Sequence, residues 1–401
     1  MKSVKKHILL IFLGIISGII GGLCGVVFSK SIGFVTNIRT ENNRMLYLLP
    51  IGGLISVGIY KLCRVKNIGT TNVFESVRTE QTLPRLLAPA VFFGTCISHL
   101  FGASSGREGA ALQIGGGVAN VASKFFKLDE DSKHIAIMCG MSALFAAVFG
   151  TPLAACVFVL EVIITQICVV AAVPVLISSV TAYATSQLLH VHPERFYMGE
   201  LPTFSFSVVL KSLTITLAGV AVAFVFCKSL NLSKMFTKKF IKNEFVRIAI
   251  GGILIIGLTT LIGNYDYNGS GINVIERVFV GEVRYEAFVI KILFTVICVS
   301  CGYKGGEIVP TLFIGATLGG ALGMILGLPI AIGAAIGMSI LFVCVTKCPI
   351  ATILLCGEMF GFYCLVLLAP LIIIGFVAAR YHGLYNNPKD MLSLFKIQKK
   401  D

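Results

Sequence analysis

Long apolar runs dominate the chain, and the breaks between them carry most of the information. Apolar segments cover 7–36, 46–63, 83–104, 134–160, 164–190, 205–227, 246–263, 284–302, 308–327, 329–346 and 348–379. A helix crossing the hydrocarbon core needs about 20 predominantly apolar residues. Several segments fall short of that length or are interrupted by Gly and Pro. The stretches 102–117 and 302–323 are the most glycine-rich. Irregular backbone at membrane depth is tolerated only where protein buries it or where it lines a wet cavity. The pattern therefore predicts an all-α polytopic membrane protein with many tilted and broken helices. The first apolar run continues to Phe28, too far for a signal-peptide core, and predicts a retained helix.

The segments repeat. "GMSALFAAVFGTPLAACVFVLEV" from Gly140 matches "GMSILFVCVTKCPIATILLCGEM" from Gly337, with Pro152 over Pro349 and Glu161 over Glu358 at one constant spacing. Upstream, "SGREGAALQIGGG" meets "KGGEIVPTLFIGA", and pairing Glu108 with Glu307 requires a two-residue slip between the blocks. The chain reads as two homologous halves, about 1–200 and 201–388, with a short tail at 389–401. Interrupted segments at matching places in two halves point to a transporter binding site near the midplane. An inverted second half would bring the two sites together from opposite membrane faces.

Composition agrees. The 401 residues are 56% hydrophobic and 13% charged, against about 25% charged in soluble domains. The net charge of +14 argues for membrane topology, not nucleic acid, because the lysines form no basic face. Lys2, Lys5 and Lys6, a loop from Lys228 to Lys242, and Lys396, Lys399 and Lys400 in the tail should all face the cytoplasm. Both termini are then cytoplasmic, in the plasma (inner) membrane. Most of the thirteen cysteines sit in apolar runs as soft packing residues. Cys298-x-x-Cys301 lacks a second pair, and His190 and His192 form a lone H-x-H, so neither predicts a metal or cofactor.

An intramembrane acid is a functional hypothesis by default. Glu108 lies between Gly106 and Gly109 at the start of an apolar run. A helix N-terminus there would offer unpaired N–H groups and partial positive charge to an anion. An ionised Glu108 can act as a tethered anion that competes for the site and leaves when protonated. A structural Arg107–Glu108 ion pair is the bland alternative, disfavoured because adjacent helical residues do not face each other. Glu307 reads equally well as a second functional acid or as a helix N-cap-region acid. Glu161 and Glu358 read as structural helix-end acids, and Tyr385 as an interfacial aromatic or an anion donor.

In order along the chain, "GREGAALQIGGG", "GYKGGEIVP" and "HGLYNN" resemble the signature segments of the CLC chloride channels and transporters. The likeness covers nearly the whole chain. It implies a CLC-type inverted repeat of about 17 helices and a homodimer with one anion pathway per subunit. It also implies a single transport domain over 1–401, without the large cytoplasmic regulatory domains of other members. Glu108 would be the external gating glutamate. Gly106, Arg107, Gly109, Glu307 and Ile308, with the Tyr385 hydroxyl, would surround the anion.

Three departures sharpen the reading. The segment that supplies a serine to chloride in the family is here "IGTTNVFESVR", which puts Thr70, Thr71, Asn72 and Phe74 at that place. Phe74 can offer a positive ring edge to fluoride or pack in the core, and packing is favoured. "GSGIN" at Gly269 mimics the serine motif but falls in the wrong half. Val162 stands where proton-coupled chloride exchangers carry an internal acid, and Glu307 replaces an apolar residue. Together these resemble the bacterial fluoride/proton antiporter branch, in which Glu108 and Glu307 would handle the proton. A chloride/proton exchanger or passive chloride channel of the same family is the alternative. An intramembrane enzyme is distant, since no Ser/His or H-E-x-x-H constellation is present.

Overall fold

The computed structural model describes residues 2–66, 68–79, 81–165, 167–379, 383 and 384. Eight helices form the first half: α1 (Lys2–Glu41), α2 (Leu49–Leu62), α3 (Thr70–Arg78), α4 (Leu87–Leu100), α5 (Glu108–Phe125), α6 (Glu130–Phe149), α7 (Pro152–Ile163) and α8 (Ile167–Leu188). Eight more form the second: α9 (Phe206–Phe240), α10 (Glu244–Ile262), α11 (Ile272–Phe279), α12 (Ala287–Cys301), α13 (Ile308–Leu326), α14 (Ile330–Thr346), α15 (Pro349–Phe360) and α16 (Leu365–Ala378).

Two apolar runs divide at their Gly and Pro breaks, and one expectation needs correction. The apolar run 134–160 is two helices, because Gly150 turns left-handed at φ +76 and Pro152 starts α7. The run 348–379 likewise divides at Gly361, φ +95. The supposed loop from Lys228 to Lys242 is mostly helix: Lys228, Lys234, Lys238 and Lys239 all lie on α9. Lysine is a good helix former, and its charge is favoured near a helix C-terminus. The apolar stretch and the basic stretch are therefore one continuous rod.

Seven helical segments are long and apolar enough to span a bilayer among the described residues. Two of them, α6 and α13, are 89% and 83% buried by protein, whereas the others are 28–39% buried. So α6 and α13 are central and the rest present apolar faces outward. Small residues permit the central crossings. A Cβ on Gly115 of α5 would lie 2.1 Å from the Gly140 carbonyl oxygen of α6, and one on Gly315 of α13 would lie 2.5 Å from that of Gly337 in α14. Close backbone approach through glycine is how helices gain contact where lipid supplies no hydrophobic drive.

These paired crossings also fix the repeat register. Gly115 corresponds to Gly315, so Glu108 corresponds to Ile308 and Arg107 to Glu307. The pairing of Glu108 with Glu307 is off by one residue. Two glutamates in similar glycine-rich stretches made a tempting anchor, but backbone packing decides the match.

The halves are also clamped at α7 and α15. Glu161, near the end of α7, accepts from the N–H groups of Ile350 (3.1 Å) and Ala351 (2.8 Å) at the start of α15. Glu358, near the end of α15, accepts from Leu153 (3.0 Å) and Ala154 (2.9 Å) at the start of α7. Each helix begins with proline and leaves its next N–H groups unpaired. The partner's carboxylate fills both, and the dipole favours the charge. Reciprocal capping requires the two helices to run antiparallel, as an inverted repeat demands.

Away from the clamp, the serine-like "GSGIN" segment has a structural place. Gly271, φ +83, starts α11. The fully buried Lys291 of α12 donates to the carbonyls of Tyr267 (3.1 Å) and Gly269 (2.7 Å) and lies 4.9 Å over the Phe313 ring.

Replacing Glu161 by alanine leaves two N–H groups of α15 unpartnered. The expected loss is about 1.5–3 kcal/mol, the range for hydrogen bonds to a charged group. Thermal unfolding in detergent checks this, and Glu358→Ala should match it in direction and size.

Candidate anion site

Two short non-helical segments pass each other at the centre of the fold. The Gly106 N–H donates to the Gly306 carbonyl (2.6 Å), and the Gly306 N–H donates to the Gly106 carbonyl (2.7 Å), an antiparallel bridge. Buried backbone groups must be paired, and here the two broken stretches pair each other. Only glycine permits the approach: a Cβ on Gly306 would lie 2.6 Å from the Gly109 nitrogen. Polar side chains fasten the flanks. The Ser105 hydroxyl donates to the Lys304 carbonyl (3.1 Å), the Lys304 N–H donates to the Ser98 hydroxyl (3.1 Å), and the Ser104 and Thr295 hydroxyls share a bond of 3.0 Å.

Helices start on either side of this bridge. Arg107 is the residue before α5, and Glu307 the residue before α13. Their first-turn N–H groups, including those of Gly109 and Ile308, have no intrahelical acceptor. The start of α3 joins them. The Thr70 hydroxyl lies 3.4 Å from the Gly109 carbonyl, and the Gln113 amide donates to both Thr70 Oγ1 (3.1 Å) and the Gly109 carbonyl (3.2 Å). The starts of three helices thus gather in one buried place, each bringing its positive end.

Glu108 is 1% exposed at this point. Its Oε2 accepts from the Arg107 N–H (2.9 Å), so the carboxylate folds back over the start of its own helix. Its Oε1 is 3.5 Å from Arg107 Nε, and the Arg107 guanidinium also pairs with Glu194 in the connection after α8. The expectation that Arg107 and Glu108 would not face each other is therefore wrong. Arg107 precedes the first helical residue, so helical side-chain geometry does not bind it. The ion pair exists, and it leaves the carboxylate on the helix start.

The remaining predicted residues divide. Gly106 spends its N–H on Gly306, so it shapes the site without a free donor. Thr70, the first residue of α3, packs against the start of α5. Thr71 is half-buried on the same turn of α3. Asn72 turns the other way and accepts from the Gly69 N–H (2.9 Å), closing its own helix. Phe74 is 1% exposed and stands edge-on to Phe158, centroids 6.4 Å apart. Phe158 in turn stacks on Phe145 at 5.4 Å, so Phe74 belongs to an aromatic core. Glu307 is half-buried, and its carbonyl accepts from the Thr311 N–H (3.0 Å) and hydroxyl (2.8 Å). No ion pair engages its carboxylate among the described residues. Tyr385 lies outside the described residues, although the Leu384 N–H donates to the Val345 carbonyl (2.9 Å) at the end of α14. Sequence reasoning missed Gln113 and Glu194. Gln113 had a signal, one turn after Gly109; Glu194 had none.

A family model described as voltage gated chloride channel matches residues 52–381. The chain belongs to this family. It is similar to a chloride/fluoride channel protein of Pseudomonas syringae pv. tomato, 30% identical over 92% of this chain and 83% of that protein. An H+/Cl− exchange transporter, ClcA, of Vibrio campbellii is 28% identical over 90% of this chain and 84% of its own length. Among solved structures, a CLC-type fluoride/proton antiporter superposes with a TM-score of 0.89 at 31% identity, covering 94% of this chain and 96% of that one. A slow cyanobacterial Cl−/H+ antiporter reaches 0.80 at 20% identity over 98% of both, a likeness of fold. As a CLC-family member with the inverted repeat, the chain is a multi-pass membrane protein of an ion-transport family.

Because the bridge allows no side chain at Gly306, Gly306→Ala should destabilise the protein by about 1–3 kcal/mol, the range for overpacking. Gly58→Ala, where nothing lies within 4 Å, should be neutral or stabilising by up to about 1 kcal/mol. Thermal unfolding of the two variants side by side checks the contrast.

Proposed function

We propose that this chain is a fluoride/proton antiporter that exports fluoride from the cytoplasm, with Glu108 as its protonatable gate. The observation that carries the reading is the buried Glu108 carboxylate lying on the start of α5. It stands where an anion would be held by helix starts and competes for the same donors. Protonation removes its charge and weakens its hold on them; an anion then takes its place. One side chain thereby couples a proton to an anion.

Fluoride is small and strongly hydrated, so its pathway must replace water with closely placed donors. The meeting of α3, α5 and α13 supports this, as do Thr70 of α3 against the α5 start and Glu307 at the head of α13. Gly109 and Ile308 supply N–H groups, Arg107 sets the electrostatics of the gate, and Glu307 handles the proton or fluoride on the second half. Tyr385 would complete the site, while Thr71, Asn72 and Phe74 hold α3 in place. Similarity to a fluoride/proton antiporter structure at 31% identity supports the same reading. The protein would act as a homodimer with both termini cytoplasmic. The exchange transporter from Vibrio supports a second reading, chloride/proton exchange. Val162 speaks against it, since its carbonyl accepts from Arg78 and its side chain cannot relay a proton.

In proteoliposomes, fluoride efflux should drive proton uptake, with chloride carried poorly; equal fluxes of the two anions would remove the fluoride assignment. Because protonation frees the donors, turnover should rise as pH falls. Glu108→Gln should abolish proton uptake and flatten that pH dependence. A fluoride electrode and a pH electrode read together decide both points.

A further inference from the structure

A second polar site lies apart from the bridge. A cavity of about 750 Å³ opens between the end of α2, the start of α10 and the connection from α12 to α13. Five cations line it, Lys61, Lys66, Lys242, Arg247 and Lys304, against one acid, Glu244. None of the five has a carboxylate partner among the described residues. Arg247 is only 8% exposed; its Nη1 donates to the Ile241 carbonyl (3.2 Å), but its Nε has no partner. Lys61 Nζ sits 4.2 Å from the Phe245 ring and Lys304 Nζ 4.0 Å from the Tyr60 ring. Ring faces hold an ammonium group without neutralising it.

We infer that this cavity binds the phosphate headgroup of an anionic phospholipid. An unpaired, nearly buried guanidinium beside four lysines calls for a multiply charged oxyanion. A monatomic anion would fill a small fraction of the space. The rim indicates the source. Leu62 next to Lys61 is 81% exposed and Val246 next to Arg247 is 48% exposed, and α10 and the segment containing α2 are among the span-length apolar segments. Apolar surface beside a basic pocket at the ends of membrane helices fits a lipid with acyl chains outside and headgroup within. The site also reaches the transport machinery. Lys304 is two residues before Gly306, and its backbone is bonded to Ser98 and Ser105. A headgroup on Lys304 would restrain the strand that forms the bridge. This inference does not depend on which anion is carried.

Native mass spectrometry of the full-length protein with added cardiolipin, phosphatidylglycerol or phosphatidylcholine tests it. The wild type should retain the two anionic lipids and not phosphatidylcholine. Lys61→Gln/Lys242→Gln, at two exposed positions, should weaken retention at least about tenfold, as expected for two charges near a lipid surface. Arg247→Gln should do the same, and the exposed pair keeps the test valid if this buried change impairs folding. Equal retention by the wild type and the lysine pair would overturn the site. Binding of adenosine diphosphate without lipid retention would overturn the lipid as its source.

Discussion

The structure depends on one pair of hydrogen bonds, between the backbones of Gly106 and Gly306. In hydrocarbon an unpaired backbone N–H or carbonyl costs several kcal/mol, so a helix cannot simply stop at membrane depth. Here two helices start there, and the preceding segments satisfy one another. The bridge sets the register of the halves and brings the α5 and α13 starts together. It also excludes a side chain at Gly306, where a Cβ would meet the Gly109 backbone. A proline or a bulky residue at either position would leave buried polar groups unpaired and dismantle both helix starts at once.

The surroundings make that arrangement rigid. Glycine contacts hold α5 against α6 and α13 against α14 closely enough that a single Cβ would collide with backbone. The reciprocal Glu161 and Glu358 caps fasten α7 to α15, and Arg78 closes the other end of α7 on the Ile163 carbonyl (3.0 Å). Buried Lys291 holds the turn before α11 by its carbonyls. In each case a polar group at a helix end or break finds its partner far away in sequence. The fold is therefore assembled by long-range polar satisfaction within an apolar frame, and the helix starts at its centre have little freedom to drift.

That also explains what could be read from the sequence. The all-α membrane class and the acid at a buried helix start are legible because apolar length and an acid between glycines are local signals. The register around Glu307 is not legible, because backbone packing decides it and the sequence displays only two matching glutamates. The lysines of α9 look like a loop in sequence because charge ends the apolar run, although the helix that carries them continues to Phe240. The Arg107 ion pair escapes the rule for helical neighbours because Arg107 precedes the helix. Glu194 had no local signal at all.

The corrected register changes how the site's asymmetry is understood. Duplication supplies equivalent helix starts on both sides of the bridge, but the side chains on them differ. Position 108 is Glu and its counterpart 308 is Ile; position 107 is Arg and its counterpart 307 is Glu. Had Ile308 been an acid, two tethered carboxylates would compete for one set of donors, and their repulsion would keep at least one of them protonated. An apolar residue there leaves the first-turn donors of α13 without a tethered carboxylate, free for a mobile anion in the proposed mechanism, while the Glu108 carboxylate folds over the start of α5. Arg107 pairs with both Glu108 and Glu194, whereas Glu307 stands without an ion-pair partner among the described residues. In the proposed antiporter the symmetric backbone would supply the anion's donors, and the asymmetric side chains would decide from which half it is gated.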